Sequence, residues 1–129
     1  MQNAPAHAAS EAAMHELSIA TRLVEMVGEQ LAASGGRAGR ITLRIGRLSC
    51  VHEDSLRFSF DLVREGTPAA EATLEIVQLP VRVYCQRCDD EFELPGIQRF
   101  ICPSCGRPSG DIRQGRELDL ESIEVLETT

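Results

Sequence analysis

Apolar residues first recur at helical spacing from Met14 onward. Leu17, Ala20, Val24, Val27 and Leu31 form one stripe, and Ile19 and Leu23 widen it. Ser34-Gly35-Gly36 follows the last apolar turn, where glycine commonly stops a helix. Ile41, Leu43 and Ile45 then alternate with Thr42 and Arg44, the period of a half-buried strand. Gly46 to Val51 turns the chain. Helical spacing returns over residues 53–65, with Leu56, Phe60 and Val63 in one row and Phe58 and Leu62 beside it. Glu53 and Asp54 sit where they favour the positive end of that helix, and Gly66-Thr67-Pro68 ends it. An extended run through Leu74, Ile76, Leu79, Val81 and Val83 leads into Cys85, broken at Pro80, which cannot donate to a ladder. Leu118, Leu120, Ile123 and Val125 mark a last strand. Its apolar phase shifts between Leu120 and Ile123, which predicts a bulge.

Helix, strand, helix, strand, cysteine segment, strand: this order predicts an α+β fold. A small antiparallel sheet of about three strands carries two helices and is interrupted by a zinc-ribbon-like module. Residues 1–13 (MQNAPAHAASEAA) show no clear apolar face and read as a leader or disordered extension. Residues 14–80 plus 110–127 form the α+β domain, and 81–109 the metal-binding one.

Composition narrows the function. The chain has 129 residues, 43% of them hydrophobic but only 4% aromatic, so its core must be mostly aliphatic. A net charge of −7 argues against nucleic acid, which needs a basic face to displace counterions. No stretch approaches the ~20 apolar residues of a membrane span, and no signal peptide is visible, so a cytoplasmic location is expected. There is no phosphate loop and no Ser/His/Asp or Cys/His catalytic set, so no enzyme is expected.

Four of the five cysteines come in two pairs, Cys85-Gln-Arg-Cys88 and Cys102-Pro-Ser-Cys105. Each pair can wrap two thiolates around one ion, and together they supply the closed tetrahedral set of a structural zinc site. Cys-Pro-x-Cys-Gly is a rubredoxin-type knuckle whose backbone N–H groups face the sulfurs. Four thiolates on Zn(II) leave a net −2, which those bonds and Arg87, Arg99 or Arg107 offset. An iron–thiolate electron carrier and a zinc-ribbon binding module are the competing readings. Cys50 stands apart and reads as a small buried hydrophobe.

His15 and Glu16 open the first helix. Were Met14 the first residue, its amine, the His15 amide nitrogen and the His15 imidazole could chelate one metal in a plane, which suits Ni(II) or Cu(II). Met14-His-Glu-Leu-Ser-Ile-Ala20 resembles the opening of the HypA/HybF hydrogenase nickel-incorporation (maturation) proteins. The resemblance continues through Thr42-Leu-Arg-Ile-Gly46, Leu48-Ser49, Arg64-Glu-Gly-Thr67, both cysteine knuckles and Gln114-Gly-Arg-Glu-Leu118. It covers residues 14–126.

The resemblance implies a nickel metallochaperone that delivers Ni(II) to the large subunit of [NiFe]-hydrogenase during maturation. It implies a HypB-type GTPase and that large subunit as partners, with a homodimer left open. It carries nickel, the transferred cargo, onto His15 and Glu16, and structural zinc onto Cys85, Cys88, Cys102 and Cys105. In some relatives a carboxylate after the first strand approaches the nickel; that region here is Val51-His52-Glu53-Asp54. The family motif begins at the initiator Met, whereas thirteen residues precede Met14. While they are attached, nickel relies on His15, amide nitrogens and His7 or His52.

Overall fold

The computed structural model describes residues 4–126, with side chains from residue 15 onward. The readings that involve the side chains of His7 and Met14 lie outside the described residues. In chain order the elements are α1 (Ala4–Leu31), β1 (Ala38–Gly46), a 3-10 turn (Arg47–Ser49), α2 (Glu53–Val63), β2 (Thr73–Leu79), β3 (Arg82–Cys85), β4 (Asp90–Glu93), β5 (Asp111–Gln114) and β6 (Leu118–Val125). The strands form two three-stranded sheets, in the orders β2-β1-β6 and β4-β3-β5. The α+β class is therefore the one observed. Among the described residues no helix is long and apolar enough to cross a membrane.

The chain divides into two compact units. One comprises residues 1–42, 51–75 and 120–129, the other residues 43–50 and 76–119. In the first, α1 packs against α2. Ala20, Leu23, Val24, Val27 and Leu31 are buried, the three-and-four spacing of one helix face. α1 ends as its sequence dictates: Gly35 takes a left-handed φ of 69° and its N–H donates to the Leu31 carbonyl at 2.9 Å. α2 buries Leu56 and Phe60 completely and Ser59 nearly so. Each fully buried side chain of Leu or Phe size contributes about 1.5–3 kcal/mol. Phe58 and Leu62, which the sequence placed beside the apolar row, instead stay 66% and 60% exposed. Arg64 holds the turn after α2: its guanidinium lies 5.3 Å from the centre of the Phe60 ring and donates to the Ala72 carbonyl at 2.6 Å.

The second unit is built on β3, which pairs antiparallel with β4 and β5. Its core is small: Val81, Val83 and Leu94 are buried, with Leu48, Phe100 and Ile112 packed against them. The break expected at Pro80 is present, since β2 stops at Leu79 and β3 starts at Arg82. β4 and β5 were not legible in the sequence, being four residues each and mostly polar. Two backbone segments also meet here. The Gly46 N–H donates to the Glu117 carbonyl at 2.8 Å, and the Leu48 N–H to the Gly115 carbonyl at 2.7 Å. A Cβ on Gly46 would strike the Gly115 carbonyl and lie 2.6 Å from the Arg116 nitrogen. Gly115 itself holds a φ of 133°, which side chains rarely adopt.

Candidate functional site

The first cysteine pair sits on the β3–β4 hairpin. Cys85 ends β3 and lies opposite Asp90, so Cys88 falls in the turn between them. Asp89 closes that turn with a φ of 52°, a left-handed conformation that Asp tolerates better than most residues. The Tyr84 hydroxyl donates to its carboxylate at 2.5 Å, and this bond raises the Tyr84 pKa.

The second pair lies in a tight loop closed by backbone bonds. The Gly106 N–H donates to the Cys102 carbonyl at 2.9 Å, with Gly106 at φ 78°, and the Cys102 N–H donates to the Arg107 carbonyl at 2.8 Å. The loops are tied to each other by the Ser109 hydroxyl, which donates to the Tyr84 carbonyl at 2.5 Å beside Cys85.

The four sulfurs consequently converge, with all Sγ atoms within 4.8 Å of one another. Cys85 Sγ is 3.7 Å from Cys105 Sγ, and Cys88 Sγ 3.9 Å from Cys102 Sγ. These separations are far beyond the ~2.05 Å of a disulfide. A tetrahedral ion with metal–sulfur bonds of ~2.3 Å has sulfur–sulfur edges of about 3.8 Å. Two of the edges match that length, so the four sulfurs can close on one tetrahedral ion, and the soft thiolate donors suit zinc or iron.

Its protons are unequally held. Burial would raise the Cys102 thiol, but the Cys105 and Ser104 backbone N–H groups and the Cys85 and Cys105 thiols stabilise its thiolate and bring it down to about 7. Cys88 is pushed up to about 12, first by burial and then by hydrogen bonding with Cys105, Cys102 and Cys85. The knuckle amides thus support negative charge at Cys102. Arg87, Arg99 and Arg107 are all exposed. Cys50 corrects the sequence reading: it is exposed, not buried, and takes a left-handed φ of 59° where it caps the 3-10 turn.

His15 and Glu16 occupy adjacent positions in α1 but different environments. His15 is exposed, whereas Glu16 is 3% exposed. One Glu16 oxygen, Oε2, accepts the His52 backbone N–H at 2.6 Å. The other, Oε1, is buried and has no hydrogen-bond partner. Leaving a buried acceptor unpaired costs about 1–3 kcal/mol, and more when it is charged. His52 is the residue before α2, is itself exposed, and has Nδ1 3.4 Å from the Ser55 hydroxyl. The carboxylate meets the start of α2, the positive end of that helix's dipole. No periodicity links positions 16 and 52. The only local signal was the acidic turn Glu53-Asp54, which marks His52 as a helix cap.

The comparisons agree with this architecture. A family model described as hydrogenase/urease nickel incorporation, metallochaperone, hypA matches residues 14–125. The hydrogenase maturation factor HypA of Chloroflexus aggregans is 47% identical over 113 residues, covering 87% of this chain and 99% of the relative. That of Roseiflexus is 43% identical, covering 90% and 95%. The solution structure of the Ni metallochaperone HypA from Helicobacter pylori superimposes with a TM-score of 0.62 at 25% identity, covering 88% of this chain and 98% of that one. A second solution structure of a HypA protein gives 0.66 at 27%, covering 88% and 97%. By sequence over nearly its whole length, and by fold, the chain belongs to the HypA family of nickel-incorporation metallochaperones.

Proposed function

We propose that the chain is a nickel metallochaperone that delivers Ni(II) to the large subunit of a [NiFe]-hydrogenase during maturation. Cys85, Cys88, Cys102 and Cys105 hold a structural zinc ion, and His15 and Glu16 take the nickel cargo. The observation that carries the nickel assignment is Glu16 Oε1, a buried acceptor with no partner, one residue from the exposed imidazole of His15. A divalent cation would satisfy that oxygen. His52, whose amide the same carboxylate holds, carries an exposed imidazole at this end of α2.

In this reading residues 14–80 plus 110–127 form the nickel-binding domain and 81–109 the zinc-binding domain. The protein works in the cytoplasm and catalyses nothing itself, so nucleotide hydrolysis belongs to a HypB-type GTPase partner. The hydrogenase maturation factors among its relatives support hydrogenase maturation, and the likeness to the Helicobacter pylori Ni metallochaperone supports nickel. The two metals divide by donor chemistry. A closed thiolate set exchanges slowly, whereas an exposed imidazole with one carboxylate can give up its ion to a recipient.

Nickel titration of the zinc-loaded chain against His15→Ala tests the reading. Affinity should fall at least tenfold, since one ligand contributes on the order of 1.4 kcal/mol or more. Equal binding by both proteins would remove His15 from the site. Metal analysis should find one zinc per chain and no colour from iron.

A further inference from the structure

α2 turns two kinds of face outward and inward, and its outer one is unusual. Phe58 and Leu62 are one helical turn apart and are the two most exposed large hydrophobic side chains among the described residues, at 66% and 60%. Single exposed apolar residues are ordinary. Here an aromatic and a leucine stand side by side in a chain with only five aromatic residues. The pair has an acidic surround: Asp54, Asp61 and Glu65 are exposed on the same helix and its end.

No cation on α2 is free to balance them. Arg57 turns to the Leu74 carbonyl at 2.7 Å and to Glu53 at 3.1 Å. Arg64 turns to the Ala72 carbonyl at 2.6 Å and lies over Phe60, reaching only Asp61 at 3.4 Å. The whole first unit shares this sign, with thirteen carboxylate residues against five arginines in its sequence.

We propose that the outer face of α2 docks an amphipathic helix of a partner protein, whose apolar residues recur every three or four positions and are flanked by lysine or arginine. Phe58 and Leu62 supply the desolvated centre, and Asp54, Asp61 and Glu65 the charged rim. Interfaces place their binding energy in such buried aromatic anchors, while rim charges set partner choice and encounter rate. A second copy of this chain is a poor occupant, because it would bring the same acidic rim against itself. The proposal extends the metallochaperone reading by giving the recipient machinery a place to bind, but the surface stands whether or not nickel binds at His15.

The test places a photo-crosslinking phenylalanine analogue at position 58 of the full chain in its native host, with position 98 as an exposed control. The crosslinked partner segment is mapped by mass spectrometry and synthesised as a peptide for titration. The expected segment is an amphipathic helix with basic flanks. Its affinity should fall ~30-fold for Phe58→Ala with Leu62→Ala. It should fall about tenfold, with a weaker salt dependence, for Asp54→Asn with Asp61→Asn and Glu65→Gln. The Phe58→Ala, Leu62→Ala variant should keep the wild-type melting curve and nickel affinity, because both side chains are exposed and neither offers a metal ligand. His15→Ala should crosslink at the wild-type level, which separates this surface from the nickel site.

A crosslink to a second copy, an acidic segment, or no product above the position 98 control would overturn the proposal. So would peptide binding within twofold of wild type by the Phe58→Ala, Leu62→Ala variant.

Discussion

Glu16 answers to two demands at once. Its Oε2 holds the first amide of the α2 cap, and its Oε1 waits unpaired. Substitution can separate the two. Glu16→Ala removes the acceptor and leaves the His52 N–H without it, so the denaturant midpoint should fall by an amount equivalent to about 1–3 kcal/mol. Glu16→Gln keeps a carbonyl oxygen for that N–H while removing the charge. It should remain close to wild type in stability and lose nickel affinity at least tenfold by titration; unchanged affinity would make Glu16 a clamp alone.

The cysteines give a second residue-scale expectation. Because Cys102 is held down at about 7, it is a thiolate at pH 8 and a thiol at pH 6, while Cys88, at about 12, keeps its proton at both. A metal must expel whatever protons remain. Zinc loading should therefore release on the order of one more proton from Cys102 at pH 6 than at pH 8. The apparent affinity should fall correspondingly as pH drops through 7. Calorimetry in two buffers of different ionisation enthalpy counts these protons.

At the scale of elements, long periodic patterns were legible and short ones were not. The α1 stripe and the burial of Leu56 and Phe60 follow from a 3.6-residue period sustained over several turns. The cysteine spacing pointed to one four-sulfur group because two C-x2-C pairs can wrap a single ion, and the four Sγ atoms converge as that requires. β4 and β5 escaped notice because four polar residues carry no period; their pairing with β3 organises them. Phe58 reads as a neighbour of the apolar row because its type is apolar, and type alone does not report which side of a helix faces solvent. Glu16 and His52 are thirty-six residues apart, a distance that only the packing of α1 on α2 closes.

The contact of Gly46 with the backbone at Gly115 and Arg116 is equally hidden in sequence, and it makes a sharp prediction. Gly46→Ala has no flexible side chain to push aside. It should destabilise the second unit by about 1–3 kcal/mol or more, read from the chemical denaturation midpoint.

At the scale of the whole molecule, the two units rest on different foundations. The first has two packed helices with an aliphatic core. In the second, the cluster on which β3 rests has Val81, Val83 and Leu94 inside, too few to hold three short strands unaided. Chelation should therefore act unevenly. Hydrogen exchange should accelerate through β3, β4 and β5 once the thiolate-bound ion is withdrawn, while buried amides of α1 and α2 stay protected. Uniform acceleration across both units would show that the ion supports the entire fold.

Cys50, exposed at the end of the 3-10 turn, gives the molecule its own reporter. It is the one cysteine outside the convergent group. A thiol-specific dye should thus add once to each metal-loaded molecule and up to five times after the ion leaves. Dye stoichiometry then reads metal retention directly, and a probe fixed at position 50 labels the chain at a single known point without engineering a new cysteine.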